Sequence, residues 1–450
     1  MDATLDTAGT HALAALPGTP PRAATTPDDL SREPSGTAGT APDRAAGSAR
    51  TDARGAVGHR RPAVTGLRLS AFGRHRAAVF PLGPLTLFTG PSGSGKSQAL
   101  EAYAALSRLA SGAALEEVFP DPAARVPEAA RPDAGGRRGF RIGCTVDGPA
   151  GPVRLDLAVQ AEPTLRIAGE RLSQDGTVLL ATALRDPRRP SVQAAWLTGG
   201  AAGMTRAPLP GDRLGTALLP LRVSGATAGQ RRVLAAAEQV VVALRSVFPC
   251  DPRPARMRAP VPPGEGRLRG DCGNLADVLR RTRHECGTRH ALLAGAARTG
   301  CAGPVAGLGV REDGPGGGGA GAGAGAGAAA GRPGGLVTAL LERGSGLPAT
   351  EFARLGDGEL RFLALALVLL TGPGVLAVDP AAELLSARQA LTVLADGLDR
   401  GLDRRQTAEL LRLALLSGER GHIRLVGAVG EDTAGTAREV PGVSVVDLSP

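Results

Sequence analysis

Apolar positions along the chain fall into two regimes. Residues 1–62 are Ala, Thr, Pro, Gly and Asp with scattered Arg and no sustained period, which reads as a disordered N-terminal arm whose ordering entropy no core would repay. From residue 63 strand and helix periods take over. Leu67–Ala71 and Ala77–Phe80 read as short strands around the turn Phe72-Gly73-Arg74-His75, and Pro84–Thr89 is a continuous apolar run, as in a buried strand. Gln98–Leu109 repeats apolar residues at helical spacing. RGFRIGCTV and PVRLDLAVQ, within Arg138–Gln160, flank a Gly-Pro-Ala-Gly turn and predict a hairpin, which strands at Thr164–Ile167 and Thr177–Leu180 extend into an antiparallel sheet.

The second half is more helical. Ala228–Phe248 is strongly amphipathic and stops at Pro249, after which the proline-rich Pro249–Gly264 is a connector. Asn274, the only asparagine, precedes LADVLRRTRHECGTRHALLAGAA and reads as the N-cap of one helix. Val305–Val310 and Leu336–Leu341 predict a hairpin interrupted by the Gly/Ala insert Gly314–Gly335, a flexible loop. Arg354–Asp379 parses as a glycine turn, a buried helix (Glu359–Leu370), a Gly-Pro-Gly break and a buried strand (Val375–Val378) ending in Asp379. Ile423–Val429 is read as the final strand.

Composition narrows the picture. Aromatics are 2% of the 450 residues against 65 Gly and 36 Pro, which fits one folded unit with unstructured segments. A net charge of +9, spread over short arginine pairs such as Arg188-Arg189 and Arg280-Arg281, would attract nucleic acid or an acidic membrane surface. With so few aromatics for bases to stack on, any DNA contact would run through phosphates and be salt-sensitive. Cys144, Cys250, Cys272, Cys286 and Cys301 contain no C-x-x-C pair, which argues for a reducing compartment. Among His284, Cys286, His290 and Cys301, only Cys286 and His290 would share a helix face, so zinc is not expected. The chain opens without a basic-then-apolar leader, and its most apolar run, Phe362–Leu370, is far short of the roughly 20 residues that span a bilayer. The expectation is a cytoplasmic protein with no membrane insertion.

The candidate chemistry sits at Gly90-Pro91-Ser92-Gly93-Ser94-Gly95-Lys96-Ser97, the P-loop (Walker A) pattern G-x-x-x-x-G-K-[ST] between an apolar run and a helix. Gly90, Gly93 and Gly95 let backbone N–H groups curl around phosphate oxygens, and the helix opening with Gln98 aims its positive end at them. Lys96 would reach the β- and γ-phosphates, and Ser97 would hold Mg²⁺. Lys96 is also the only lysine among 52 basic residues, as expected where a compact, flexible ammonium is wanted instead of a guanidinium. Asp379, at the end of an apolar strand, would supply the carboxylate beside the Ser97-bound metal.

These residues resemble the ABC-type ATPases of the SMC, RecF and OLD-like group, in particular the small bacterial ATPases related to RecF. The resemblance rests on the P-loop, on Phe72 before it, on DCGNLADVL at Asp271–Leu279, and on the signature-like turn Leu355-Gly356-Asp357-Gly358-Glu359-Leu360-Arg361. It implies an α/β P-loop NTPase fold of the ABC/SMC head type, with an antiparallel β subdomain and a helical middle region. The head would cover 63–450: a P-loop half over 63–200, the helical middle over 201–311, the Gly/Ala loop over 312–335, and a signature and Walker B half over 336–450. It further implies an ATP hydrolase using ATP with Mg²⁺, in which two heads sandwich two nucleotides and each signature turn completes the partner's site, in DNA repair or defence.

The chain departs from the family pattern in four places. Ser92 replaces a frequent Asn, Gly356 replaces the signature Ser, Pro380 stands where a general-base Glu follows the strand Asp, and Gly430-Glu431-Asp432 follows the last strand without a switch His. Glu383, four residues after Asp379, would be the substitute base if Pro380 starts a helical turn; the other reading of this spacing is a solvated helix start. Gln160 and Gln174 are both candidates for the glutamine loop. Two outcomes stay open: an ATPase that closes and reopens with turnover, and an ATP-gated dimerisation module with little or no hydrolysis. A P-loop kinase or transporter subunit fits less well, because the signature turn directly precedes the Asp379 strand and the long middle region is not a lid.

Overall fold

Leu85–Thr89 (β3) is buried at every position, as its unbroken apolar run requires of a strand covered on both faces. The computed structural model describes residues 61–186, 189–199, 203–264, 266–313, 335–344, 346–378 and 390–449. Ala63–Phe72 (β1) and His75–Pro81 (β2) form the expected hairpin, turned at Gly73 with φ +53. Arg138–Asp147 (β4) and Val153–Glu162 (β5) pair antiparallel with Val146 opposite Val153. Arg166–Gln174 (β6) and Thr177–Ala183 (β7) continue the sheet, and Ser191–Leu197 (β8) and Met204–Pro210 (β9) complete it in the order β2-β1-β4-β5-β6-β7-β8-β9.

A second sheet is parallel and runs β10-β14-β15-β3-β16, with β10 at Val247–Pro249, β14 at Leu391–Ala395, β15 at Ile423–Ala428 and β16 at Val443–Asp447. Lys96–Ala110 (α1) lies between the two sheets, against β1 and β4 on one side and β14 and β15 on the other. Its buried Tyr103 and Leu106 join the core of the antiparallel sheet, where each fully buried large apolar side chain is worth about 1.5–3 kcal/mol. Two short turns of helix, Leu115–Val118 (α2) and Gly215–Leu218 (α3), precede Ala228–Arg245 (α4), which packs across the same core. Thr227 and Gln230 form a reciprocal cap at the start of α4.

The other core gathers around Asp357–Leu370 (α8), buried from Leu360 to Leu369. Gly287–Gly300 (α7), Arg404–Glu419 (α9) and the single turn Pro254–Met257 (α5) pack against it, Leu275–Glu285 (α6) packs on α7, and Glu431–Arg438 (α10) leads to β16. Gly307–Glu312 (β11) and Val337–Glu342 (β12) pair as expected across the Gly/Ala insert, and Thr350–Glu351 (β13) adds to them.

Several expectations are revised. The long helix over Ala228–Phe248 ends at Arg245, because Val247 and Phe248 extend into β10 and pair with β14. The helix after Asn274 breaks at Cys286 (φ −150, ψ 82), so Cys286 and His290 do not share one uninterrupted helix. Asn274 stands at the α6 N-cap position but makes no capping bond. Its Oδ1 accepts from Arg269 N at 3.0 Å and its Nδ2 donates to Arg267 O at 2.7 Å, pinning the preceding loop. Val375–Val378 is not a strand of the parallel sheet: Pro373–Val375 is a 3-10 turn, and Leu376 makes an isolated bridge to Leu268. Leu391–Ala395 holds the sheet position instead. Ile423–Ala428 is not the last strand, since β16 follows it and pairs with β3. The described residues contain no helix long and apolar enough to cross a membrane.

Candidate nucleotide site

The P-loop lies where β3 feeds α1. Gly90, Gly93 and Gly95 have φ of +134, +81 and +100, conformations that L side chains rarely adopt. A Cβ on Gly95 would lie 2.5 Å from His75 Nε2, and that ring nitrogen is 2.9 Å from Gly95 O, so the β1–β2 hairpin buttresses the loop from behind. Arg74 closes one side: its Nη1 donates to Gly93 O at 2.6 Å and its backbone N–H donates to Gln98 Oε1 at 3.0 Å. Lys96 Nζ donates to Gly90 O at 2.6 Å and Pro91 O at 3.0 Å, which folds the ammonium back over its own loop.

A cavity of about 650 Å³ opens in front of this loop. Ser92, Gly93, Gly95, Lys96, Ser97 and Gln98 line one wall, and Asp396, Asp399, Arg400 and Gly430 the other. Asp396 directly follows β14, and Gly430 follows β15 by way of Val429, so the carboxyl ends of adjacent parallel strands build the second wall. Asp399 Oδ2 accepts from Gly430 N at 2.9 Å. Ser97 and Asp396 also border a neighbouring cavity of about 380 Å³, together with Glu101, Asp251 and Asp271. Burial alone would raise the Asp271 carboxyl; Gly273 N–H, Arg256 and Arg269 outweigh it and hold the carboxyl below the usual range.

The donor set fits a triphosphate with a divalent cation. No side chain caps the N-terminus of α1, so its first N–H groups are free to face an anion. Ser94 Oγ is buried without a hydrogen-bond partner. The one ammonium is held only by neutral carbonyls, and Ser97 and Asp396 supply a hydroxyl and a carboxylate, ligands a hard cation takes.

The signature-like turn lies elsewhere: none of Leu355, Gly356, Asp357, Gly358 and Glu359 lines the cavity. Gly356 stands at the N-cap of α8, where its N–H donates to Glu359 Oε2 at 3.0 Å. Arg258 anchors the turn through Leu355 O at 2.9 Å and Asp357 Oδ1 at 2.5 Å. From within α8, buried Arg361 donates to Pro252 O at 2.7 Å and Gly397 O at 3.1 Å, so the helix behind the turn grips the residue after Asp396.

Asp379, Pro380 and Glu383 lie outside the described residues. Gln160 and Gln174 lie in the antiparallel sheet, where Gln160 Nε2 donates to Thr164 O at 2.9 Å and Gln174 Nε2 to Ala150 O; neither lines the cavity. Reading the sequence missed Asp396, Asp399 and Arg74. The signal for Asp396 was present, since LTVLAD is a second apolar run ending in Asp.

No family model matches this chain, and no curated protein matches it. Solved structures similar to it include an Smc head bound to the C-terminal winged-helix domain of ScpA, at 12% identity and a TM-score of 0.42 over 82% of this chain and 90% of that one. The SMC head domain from Thermotoga maritima is similar at 12% identity and a TM-score of 0.36, over 82% and 90%. RecF with ATP, from the RecFOR pathway, is similar at 10% identity and a TM-score of 0.31, over 83% and 95%. At these values the likeness assigns no residue a role.

Proposed function

We propose that this chain binds ATP with Mg²⁺ between the P-loop and Asp396 and dimerises on it. The observation that carries the reading is the facing of the lone lysine and an uncapped helix N-terminus by the carboxylate that follows β14, two strands from β3 in the same parallel sheet. Lys96 leaves the Gly90 and Pro91 carbonyls for the β- and γ-phosphates, and the N–H groups from Gly93 to Gln98 hold the remaining oxygens. Ser97 and Asp396 hold the cation, a role in which Asp396 replaces Asp379 because β14 is the strand beside β15. Mg²⁺, when bound, neutralises phosphate charge. The signature turn stands outside the cavity, which supports a second copy supplying Gly356–Gly358 to the γ-phosphate through its backbone N–H groups.

Hydrolysis is slow in this reading. Gly397, not Glu, follows Asp396, and no histidine follows β15. Among the described residues that line the cavity, the carboxylate left to orient a water is Asp399, engaged with Gly430 N–H; Glu383 is the further candidate from the sequence. A well-placed base contributes on the order of 10²–10⁴-fold in rate. Light scattering with and without MgATP, and phosphate release by wild type, Asp399→Asn and Glu383→Gln, test the proposal. A monomer that becomes a dimer with MgATP and turns over slowly supports it; an unchanged mass removes the signature assignment.

A DNA contact is supported by the open face of the antiparallel sheet. One cross-strand row runs Val79, Arg68, Gly143, Asp156, Arg171, Ala181, Ala195, Arg206, and the next runs Arg76, Ala71, Arg141, Ala158. Arg68 is buried and, like Arg154 beside the rows, pairs with Asp156, their one carboxylate, so the arginines open to a phosphate are Arg76, Arg141, Arg171 and Arg206. Eight strands at roughly 4.8 Å spacing give a basic face about 34 Å wide, comparable to one turn of duplex, with Ala and Gly between the arginines. Arg141→Glu, Arg171→Glu and Arg206→Glu each lower DNA affinity and reduce its salt slope by about one. Equal slopes for wild type and variants would exclude this face.

A further inference from the structure

Beside the nucleotide cavity, two thiols meet that the proposed ATP chemistry does not use. Cys250 directly follows β10, and Cys272 sits in the loop leading to α6, at φ +56. Their Sγ atoms are 3.9 Å apart, and both side chains are buried. Backbone bonds beside the pair hold the two segments together: Asp251 N donates to Gly270 O at 2.8 Å and Arg253 N to Asp271 O at 3.0 Å. Cys250, with Ser97 and Asp396, lines the smaller cavity, whereas Cys272 does not.

We propose that Cys250 and Cys272 are a modification site at which a hydroperoxide forms a reversible disulfide, and that this disulfide lowers affinity for MgATP. Cys250 is the attacking thiol because it borders the cavity through which a small peroxide arrives. Its thiolate, having given its proton to solvent, attacks one peroxide oxygen. The O–O bond breaks, the second oxygen leaves with a proton as water or alcohol, and Cys250 becomes a sulfenic acid. The sulfur of Cys272 then attacks the Cys250 sulfur and the S–O bond breaks. The departing hydroxide takes the Cys272 proton as water, so two thiols and one peroxide become one disulfide, one water and one water or alcohol. The contact with Cys250, and then burial, raise the Cys272 thiol well above its usual value, as suits the partner that keeps its proton until that second step.

The sulfurs must close by about 1.9 Å to reach the roughly 2.05 Å of a disulfide. That movement reaches the cation side of the site by a short path. Cys250 N donates to Leu394 O at 2.8 Å, and Asp396 is two residues further along the same strand end. On the other arm, Asp271 adjoins Cys272 and lines the cavity with Ser97. Formation of the disulfide stands independently of the nucleotide reading, on which the effect on MgATP rests.

The test treats the full chain with hydrogen peroxide, then maps disulfides in a non-reduced digest and measures MgATP affinity before oxidation, after it, and after reduction by a dithiol. A Cys250–Cys272 crosslink that reduction reverses is expected, with MgATP bound at least threefold more weakly by the oxidised protein. Cys272→Ala should stop at a Cys250 sulfenic acid that a 1,3-dicarbonyl reagent traps, and Cys250→Ala should give neither product. Oxidation confined to the more exposed Cys286, or crosslinks only between chains, overturns the site. A crosslink with unchanged MgATP affinity overturns the coupling. If the reduced protein binds no MgATP, the nucleotide reading fails, while the crosslink is still judged by mass alone.

Discussion

Two glycines of the signature-like turn should respond unequally to the same substitution. A Cβ on Gly358 would lie 2.2 Å from Gly401 O and 3.3 Å from Gly401 C. The obstacle is backbone, so either the first turn of α8 or the segment after Asp396 must move by about 1 Å, and overpacking of this kind costs about 1–3 kcal/mol. Gly356 has an extended conformation (φ −63, ψ 155), and its Cβ would meet only Glu359 Oε2, at 3.6 Å. Gly356→Ala should therefore change stability by less than about 0.5 kcal/mol. In a folded unit of this size, about 1–3 kcal/mol corresponds to a fall in Tm of roughly 1–4 °C. Differential scanning fluorimetry without nucleotide reads both variants. A Gly358→Ala protein as stable as wild type, or a Gly356→Ala protein as unstable as Gly358→Ala, would refute the reasoning. The close approach also makes Gly358→Arg a poor probe of dimerisation, because the fold would fail before the interface was tested.

Gly95→Ala should abolish MgATP binding measured by calorimetry, since it combines φ +100 with a 2.5 Å approach to His75 Nε2; retained affinity would count against the loop geometry. Arg424→Leu removes the donor to Val64 O, Leu82 O and Gly83 O and should cost about 2–4 kcal/mol in urea unfolding; a loss under about 1 kcal/mol would show that those carbonyls find other donors. A lysine-specific protease has one internal site, Lys96, and saturating MgATP should slow cleavage there; equal rates would count against phosphate binding by this loop.

The parts of the site legible in the sequence are those set by local geometry. Glycine spacing, one lysine and a following helix suffice to mark Gly90–Ser97, because each residue's job is done within one turn of chain. The carboxylate is different. Val375–Asp379 and Leu391–Asp396 are both apolar runs ending in Asp, and only pairing to β10 and β15, distant in sequence, decides which one enters the parallel sheet. The same holds for β8, β9 and β16, whose Ala-rich or short alternation carries little signal without partners. Asn274 shows the converse limit: its position before a helix was readable, but its side chain satisfies the loop carbonyl of Arg267 instead of the helix end. The arginine rows of the open face were invisible as a stripe, because cross-strand register and not sequence proximity assembles them.

The central claim, that Asp396 and Ser97 hold the cation of a P-loop nucleotide, is tested most directly by the Mg²⁺ dependence of ATP affinity. Binding of a fluorescent ATP analogue is measured with Mg²⁺ and with excess chelator for wild type, Asp396→Asn and Asp379→Asn. The account predicts that Mg²⁺ strengthens binding by about tenfold or more in wild type and Asp379→Asn, a difference of about 1.4 kcal/mol, and that Asp396→Asn loses this gain. Loss of the gain in Asp379→Asn with its retention in Asp396→Asn would contradict it.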